Sequence, residues 1–169
     1  MSLPSVLSEQ HIADAFNALF DYVVAMPPGS AGEHAPIFSY LLTPKQKYEI
    51  DKVCLENGWP MINCVGILID LEAIRHPLGT RRVKDGITND EIKRIIATAY
   101  SPKSIVRANR NHGQQALMLN NQRKVPIGKG GTVFFSMAVL EIKTDGAKNY
   151  LAPVTCYHAN EAKSRAISR

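Results

Sequence analysis

The second half of the sequence alternates short strand-like runs with turn clusters, and this alternation limits the possible folds more than any other feature. Runs rich in apolar and β-branched residues fall at 104–109, 115–119, 125–128, 132–143 and 150–158. Turn clusters rich in Asn, Gly and Asp separate these runs, at 111–113, 120–123, 129–131 and 144–146. The pattern predicts an antiparallel meander of four to five strands.

Helical patterns precede this meander. Residues 8–25 carry apolar side chains at helical spacing, and Ser8 is the predicted cap of that helix. A second helix is predicted to begin at Thr43-Pro44, because Thr is a good N-cap and Pro suits the first helical position. Gly58 is a natural C-terminal stop for it.

One strand and a third helix complete the predicted order. Residues 65–70 form an apolar run typical of a buried strand. Thr88 and Glu91 have the spacing of a capping box, and the helix that they open is expected to end before Pro102. The order predicts the α+β class: N-terminal helices, one strand, a helix and then the meander, with the helices packed on one face of a curved sheet.

Charge divides the chain into two parts. Residues 1–70 carry three Lys or Arg against eight Asp or Glu, a net charge of −5, whereas residues 71–169 carry 17 against seven, a net charge of +10. Together with the helix pattern, this predicts an acidic helical cap over 1–62 and a basic α+β domain over 63–169. A basic domain attracts polyanions, of which RNA and DNA are the commonest in a cytoplasm.

Several kinds of chemistry have no motif in this sequence. It has no P-loop, no GxGxxG, no CxxC and no HExxH, and its five His have no metal-ligand spacing. We therefore expect no metal and no cofactor. The N-terminus lacks a secretory signal and no apolar run is long enough to span a bilayer. We therefore expect a protein without membrane contact that acts in the cytoplasm, either of the producing cell or of a target cell.

Three segments occur in an order that resembles a known enzyme family. They are Ile-Leu-Ile-Asp-Leu-Glu-Ala-Ile-Arg75-His76 closing a strand segment, Ser101-Pro102-Lys103-Ser104-Ile105 after the capped helix, and Leu151-Ala-Pro-Val-Thr155-Cys-Tyr157 on the last strand. Over roughly residues 65–163 the chain resembles the phage-associated branch of the barnase/EndoU/colicin/RelE-like ribonuclease toxins. The resemblance implies helices followed by a four-stranded antiparallel sheet. It also implies metal-independent RNA cleavage, in which the 2′-hydroxyl attacks and leaves a cyclic phosphate.

The resemblance also implies where the catalytic residues lie. The recurrent polar positions of that branch fall on His76, Thr155 and Tyr157. His76 is the predicted proton carrier, because an imidazole can both accept and donate a proton. The hydroxyls of Thr155 and Tyr157 alternate onto one strand face and can position a phosphate. Arg107 is the fourth predicted catalytic residue, placed with Lys103 on one side of the first meander strand to clamp the phosphate.

Other basic residues are predicted to bind the RNA backbone. They are Arg75, Arg81, Arg82, Lys103, Arg110, His112, Arg123 and Lys124. His112 is also the second choice for the acid or base, and His158 is the third.

The expected partners are RNA, including tRNA or ribosomal RNA, and an acidic immunity or antitoxin protein. A second interpretation comes from a different class: a non-catalytic, phage-encoded inhibitor or adaptor that binds nucleic acid or an acidic protein through the same basic face. A third, an ADP-ribosyltransferase-like effector, is disfavoured because no Ser-Thr-Ser strand precedes Glu161.

Overall fold

A computed structural model of the 169-residue chain describes residues 9–27, 29, 32, 35–80, 86–109, 115–126, 133–160 and 163. In these ranges the helices are α1 (Glu9–Ala25), α2 (Pro44–Asn57), α3 (Leu71–Thr80) and α4 (Asn89–Ala99). The strands are β1 (Phe38–Leu41), β2 (Gly66–Ile69), β3 (Ile105–Ala108), β4 (Ala116–Pro126), β5 (Val133–Asp145) and β6 (Lys148–Ala159).

The four strands after α4 form one antiparallel sheet in the order β3-β4-β5-β6. β1 and β2 form a separate antiparallel pair. The predicted turn at 144–146 is confirmed, because Asp145 pairs with Lys148 across a tight hairpin in which Gly146 has φ +60°. The predicted α+β class with an antiparallel meander is therefore confirmed.

One face of the sheet, which we call the helical face, is covered by α4. Val106, Leu117, Leu119, Ala138 and Cys156 alternate onto this face and are buried in the main apolar cluster. Four residues of α4 join the same cluster: Ile92, Ile95, Ile96 and Ala99. The opposite side of the sheet is called the outer face below.

The same apolar cluster joins residues on both sides of position 62. Phe16 of α1 stacks on Tyr100 with ring centroids 4.7 Å apart, and Tyr40 meets Tyr100 edge-on at 5.7 Å. An ion pair of 2.8 Å also links Asp21 of α1 to Lys93 of α4. Both predicted domains, 1–62 and 63–169, contribute residues to this one core. The core does not show where a domain boundary lies, so the division stays a prediction.

The predicted caps set the helix bounds. The side chain of Thr43 accepts a hydrogen bond from the backbone of Gln46, and Gly58 closes α2 in the left-handed conformation. Thr88 and Glu91 form the expected reciprocal capping box at the start of α4. These short-range contacts need no tertiary structure, so sequence spacing was sufficient to predict them.

Two predictions of local structure are wrong. The run of residues that ends at His76 was expected to close a strand segment, but α3 begins at Leu71, because Asp70 Oδ1 accepts hydrogen bonds from the backbone of Glu72 and Ala73. The predicted turn at 120–123 is instead a bulge within β4, so that two predicted strands form one.

Tertiary contacts explain the bulge. Asn121 is buried and donates from Nδ2 to the carbonyl of Thr98 at 2.9 Å and to Ser104 Oγ at 3.2 Å. Its Oδ1 accepts from the backbone N–H of Arg123 at 2.8 Å. Asn121, whose residue type is common in turns, thus attaches β4 to the end of α4, and the chain does not reverse there.

Gln46 is a buried amide in which both polar ends are satisfied. Its Nε2 donates to the carbonyls of Ser101 and Ser104, both at 3.0 Å. Its Oε1 accepts from the Tyr40 hydroxyl at 3.0 Å and from the backbone N–H of Thr43 at 3.1 Å. One side chain therefore joins β1, the start of α2 and the corner between α4 and β3.

Replacing Gln46 with Met, which has a similar length, is expected to lower the free energy of unfolding by about 2–4 kcal/mol. The loss arises because buried donors and acceptors around the side chain lose their partner. Gln122→Met is the matched control, since Gln122 is exposed on β4 and a change there is expected within about 0.5 kcal/mol. Urea unfolding of both variants measures the difference, and equal losses would contradict the role given to Gln46.

Alkaline pH offers a second test of this region. Burial raises the pKa of Tyr40 from 10.0 to about 12, although the hydrogen bond to Gln46 opposes the shift, and burial raises the pKa of Tyr100 in the same direction. Because the folded protein favours the neutral phenol, this stabilisation is complete below about pH 10 and is lost as the pH rises towards 12. We expect the free energy of unfolding to fall over that interval, and to fall less steeply in Tyr40→Phe. Urea unfolding between about pH 9 and 12 measures both slopes, and identical slopes would contradict the assignment.

Candidate nucleic-acid interface

The strand register brings three of the four predicted catalytic residues to the outer face. Arg107 pairs with Met118, Met118 with Val139 and Val139 with Thr155, so these four form one row across the sheet. Residues directly opposite one another point to the same face of a sheet. Tyr157 belongs to the next row on the same face, two residues along β6.

Arg107 and Thr155 share a row but do not meet. They lie on the two edge strands, so their backbones are separated by three strand spacings, or about 14 Å. Between them, Met118 is 0% exposed and Val139 is 2% exposed. The middle of the outer face is therefore buried, and the cationic and hydroxyl groups lie at its opposite edges.

Two aromatic rings on the outer face lie beside exposed lysines. Phe135 and Tyr157 are half-buried, and Tyr157 packs on a small cluster formed by Met118, Met137 and Ala159. The ammonium group of Lys124 lies 5.9 Å from the Phe135 ring centroid. That of Lys163 lies 5.1 Å from the Tyr157 ring centroid.

His76 lies outside this face, in a cavity of about 370 Å³ between α3, the end of β2 and β6. Its imidazole is carried by α3 and is exposed. Two carboxylates, Asp70 and Glu72, line the same cavity, and so does Val154, the residue before Thr155. The structure therefore brings His76 beside the part of β6 that leads to Thr155, on the opposite edge of the sheet from Arg107.

Arg107 also lines a groove of about 410 Å³ between α2 and β3, together with Lys52 and Glu56. The carboxylate of Glu49 in this groove accepts a hydrogen bond from the backbone N–H of Val106 at 2.8 Å. Among the described residues, the Arg107 guanidinium has neither a hydrogen bond nor an ion pair. Its charge is thus available to an anionic ligand.

Lys103 does not lie on the strand to which it was assigned. β3 begins at Ile105, and Lys103 occupies the turn before it, where its backbone N–H donates to Ser101 Oγ at 3.2 Å. The expectation that Lys103 and Arg107 face one side as members of one strand is therefore wrong, because the alternation of a strand does not extend to residue 103.

The remaining predicted RNA-binding residues are distributed over several surfaces. Arg75 is exposed on α3 and forms an ion pair of 3.0 Å with Glu72. Arg123 and Lys124 are exposed at the β4 bulge. His158 points to the helical face, where its ring meets Phe134 edge-on at 4.8 Å. The predictions for Arg81, Arg82, Arg110 and His112 lie outside the described residues.

Sequence reasoning missed Phe135, Lys163 and the two carboxylates beside His76. Phe134 and Phe135 are adjacent in a long strand, and only the register decides which ring reaches the outer face. Asp70 and Glu72 approach β6 only because α3 packs there. Their positions at the start of α3 were missed, because a strand segment was expected there.

Compared with protein-family models, with curated proteins and with solved structures, the chain has no match in any of the three. The described helices include none with the length and apolar character that crossing a membrane requires. In the described ranges, His, Cys, Asp and Glu form no group of three or more that suits a metal ion. The function therefore has to be inferred from the geometry of the chain itself.

Proposed function

We propose that this protein binds RNA through the groups at the edges of its outer face and cleaves it without a metal ion, as a toxin module of a phage or bacterium would. One observation supports this most directly: the register that aligns Arg107, Thr155 and Tyr157 on one face of a four-stranded sheet. The excess of positive charge in residues 71–169 favours a polyanionic ligand.

The proposed roles follow from position. Arg107 and Lys124 hold the RNA backbone, and the hydroxyls of Thr155 and Tyr157 position the reacting phosphate beside β6. The 2′-oxygen attacks phosphorus, and the bond from phosphorus to the 5′-oxygen breaks. His76 accepts the proton of the 2′-hydroxyl and returns a proton to the leaving 5′-oxygen, so the products are a cyclic phosphate and a free 5′-hydroxyl.

A second candidate is binding without cleavage, as in an inhibitor or adaptor. The specific observation in its favour is that Asp70 and Glu72 line the cavity of His76. Carboxylates at this position repel a phosphate and oppose its approach to the imidazole. The two candidates differ in one measurable property, which is whether bound RNA is cut.

The catalytic proposal predicts that the protein cleaves total RNA in the presence of EDTA and leaves cyclic phosphate ends. His76→Gln is expected to slow cleavage by about 100-fold or more, because a positioned acid–base group contributes on that scale. His11→Gln is the matched control, since His11 is exposed on α1, away from the sheet. Rates are measured by gel electrophoresis of a labelled RNA.

Two results would separate the candidates. If the unaltered protein binds RNA but leaves it intact, the binding-only function replaces the catalytic one. If cleavage occurs and His76→Gln cuts as fast as the His11→Gln control, the proton transfer assigned to His76 is wrong.

Binding through Arg107 predicts a change in salt dependence. Arg107→Gln is expected to weaken RNA binding and to reduce the slope of log affinity against log salt by about 0.7–0.9, the value for one phosphate contact. Arg94→Gln on α4 is the control, since it removes the same charge from the other side of the sheet. Fluorescence anisotropy at several salt concentrations gives both slopes, and equal slopes in the two variants would argue against a phosphate at Arg107.

A further inference from the structure

We propose that two copies of this chain associate through β1, whose outer edges pair with each other about a two-fold axis at Ser39. The surface is the edge of β1 that faces away from β2, together with the side chains from Ile37 to Leu41. This inference goes beyond the proposed function and does not depend on it, since β1 belongs to the separate two-stranded pair and not to the four-stranded sheet.

The backbone of β1 has one unpaired edge. Within the described ranges, β1 pairs with β2 alone, and the backbone N–H of Leu42 extends that ladder by donating to the carbonyl of Val65 at 2.9 Å. Because the backbone groups of a strand point alternately to its two sides, those of Ile37, Ser39 and Leu41 point away from β2. An open edge of this kind is a template for pairing with another strand.

The side chains at the same positions lie on an exposed apolar face. Tyr40 is 1% exposed in the core, so its neighbours along the strand point to the opposite side. On that side Ile37 is 64% exposed and Leu41 is 52% exposed, and Ser39 between them is exposed as well. Leu68, which pairs with Ser39, is 56% exposed. Adjoining exposed apolar side chains of this kind mark an interaction surface.

The order of these residues favours a second copy as the occupant. When two identical strands pair in antiparallel fashion about Ser39, each Ser39 lies opposite the other and each Ile37 lies opposite a Leu41. All of these positions have outward backbone groups, so each opposed pair exchanges both of its hydrogen bonds. The apolar side chains become cross-strand neighbours, and the small Ser39 stands at the axis. A contact of this type uses the same surface on both copies and closes after two.

Charge also favours pairing of the strand with itself. Residues 35–44 contain no Lys, Arg, Asp or Glu, so the paired strands oppose no like charges. A charged side chain on an edge strand commonly prevents such pairing, and β1 has none. Pro36 lies opposite Leu42, whose backbone N–H is directed to β2, so the missing N–H of Pro36 removes no hydrogen bond from the new ladder.

The size of the contact sets its strength. β1 spans four residues, so the area that it can bury is below the roughly 1,200 Å² from which stable complexes begin. We therefore expect a weak, reversible dimer whose population rises with protein concentration.

The dimer has a consequence for the cavity of His76. Leu68 lies beside Ser39 in one row, so the joined sheet places the Leu68 residues of both copies on one face, with their backbones about 14 Å apart. Because Leu68 also lines the cavity of His76, the two cavities lie side by side in the dimer.

Sedimentation velocity of the full chain between about 1 µM and 1 mM measures the dimer population. Leu41→Lys is expected to raise the dissociation constant about tenfold or more, because it places an ammonium group against the apolar Ile37 of the other copy. Leu55→Lys is the matched control, since Leu55 is 78% exposed on α2, and its dissociation constant is expected to be unchanged.

Cross-linking through Ser39→Cys tests the register. Directly opposite residues that exchange hydrogen bonds have Cα atoms about 5.5 Å apart, which a disulfide can span. The background is Cys64→Ser, because Cys64 is partly exposed whereas Cys54 and Cys156 are buried. Mild oxidation is expected to give a covalent dimer of Ser39→Cys, and Leu55→Cys in the same background is expected to stay monomeric.

The outcomes are distinct. A dimer that Leu41→Lys weakens and that Ser39→Cys traps supports the inference, whether or not the protein cleaves RNA. A protein that stays monomeric up to about 1 mM overturns it and leaves the edge to an extended segment of a different protein. A dimer that Ser39→Cys does not trap, or that Leu41→Lys leaves as strong as Leu55→Lys does, also overturns it. If Leu41→Lys fails to fold, the cross-link decides.

Discussion

The position of the sheet depends on the buried amide of Gln46, which connects three separate segments of the chain through four hydrogen bonds. It fixes the corner between α4 and β3 and thereby the edge of the sheet. Ser104 continues the network, because its hydroxyl donates to the carbonyl of Ala99 and accepts from Asn121 of β4. A buried polar network with satisfied partners specifies one arrangement, since each displaced group would lose its partner away from water. The row from Arg107 to Thr155 begins on β3, so its position is set by the position of this corner.

Both edges of the four-stranded sheet are covered. On the β3 side, Glu49 of α2 accepts from the outward backbone N–H of Val106. On the β6 side, Asn63 and Asn149 exchange hydrogen bonds, and Pro153 occupies an edge position where no backbone donor is needed. Covered edges discourage strand addition by other chains. The helical face is covered by α4, and in the middle of the outer face Met118, Met137 and Val139 are no more than 2% exposed.

Charge separates the outer face from the cavity of His76. Arg107 and the lysines beside the two aromatic rings give the outer face a positive rim, whereas Asp70 and Glu72 give the cavity a negative one. The proposed binding of RNA and the proposed proton transfer by His76 therefore depend on different surfaces that adjoin at β6. The proposed cleavage requires the RNA to approach that junction, and the proposed binding does not.

The sequence by itself determined the elements whose causes are local. The capping box at Thr88, the glycine stop of α2 and the hairpin at Gly146 depend on contacts within a few residues, and all were predicted. The cap of α3 at Asp70 is equally local, but it was not predicted. Tertiary structure decided the bulge in β4. Asn121 is of a residue type common in turns, but its side chain donates to the carbonyl of Thr98 on α4 and to Ser104 Oγ. The candidate site shows the same division: alternation along β6 placed Thr155 and Tyr157 together, but Phe135 and the separation of His76 from Arg107 follow from register and helix packing, which are contacts between residues distant in the chain.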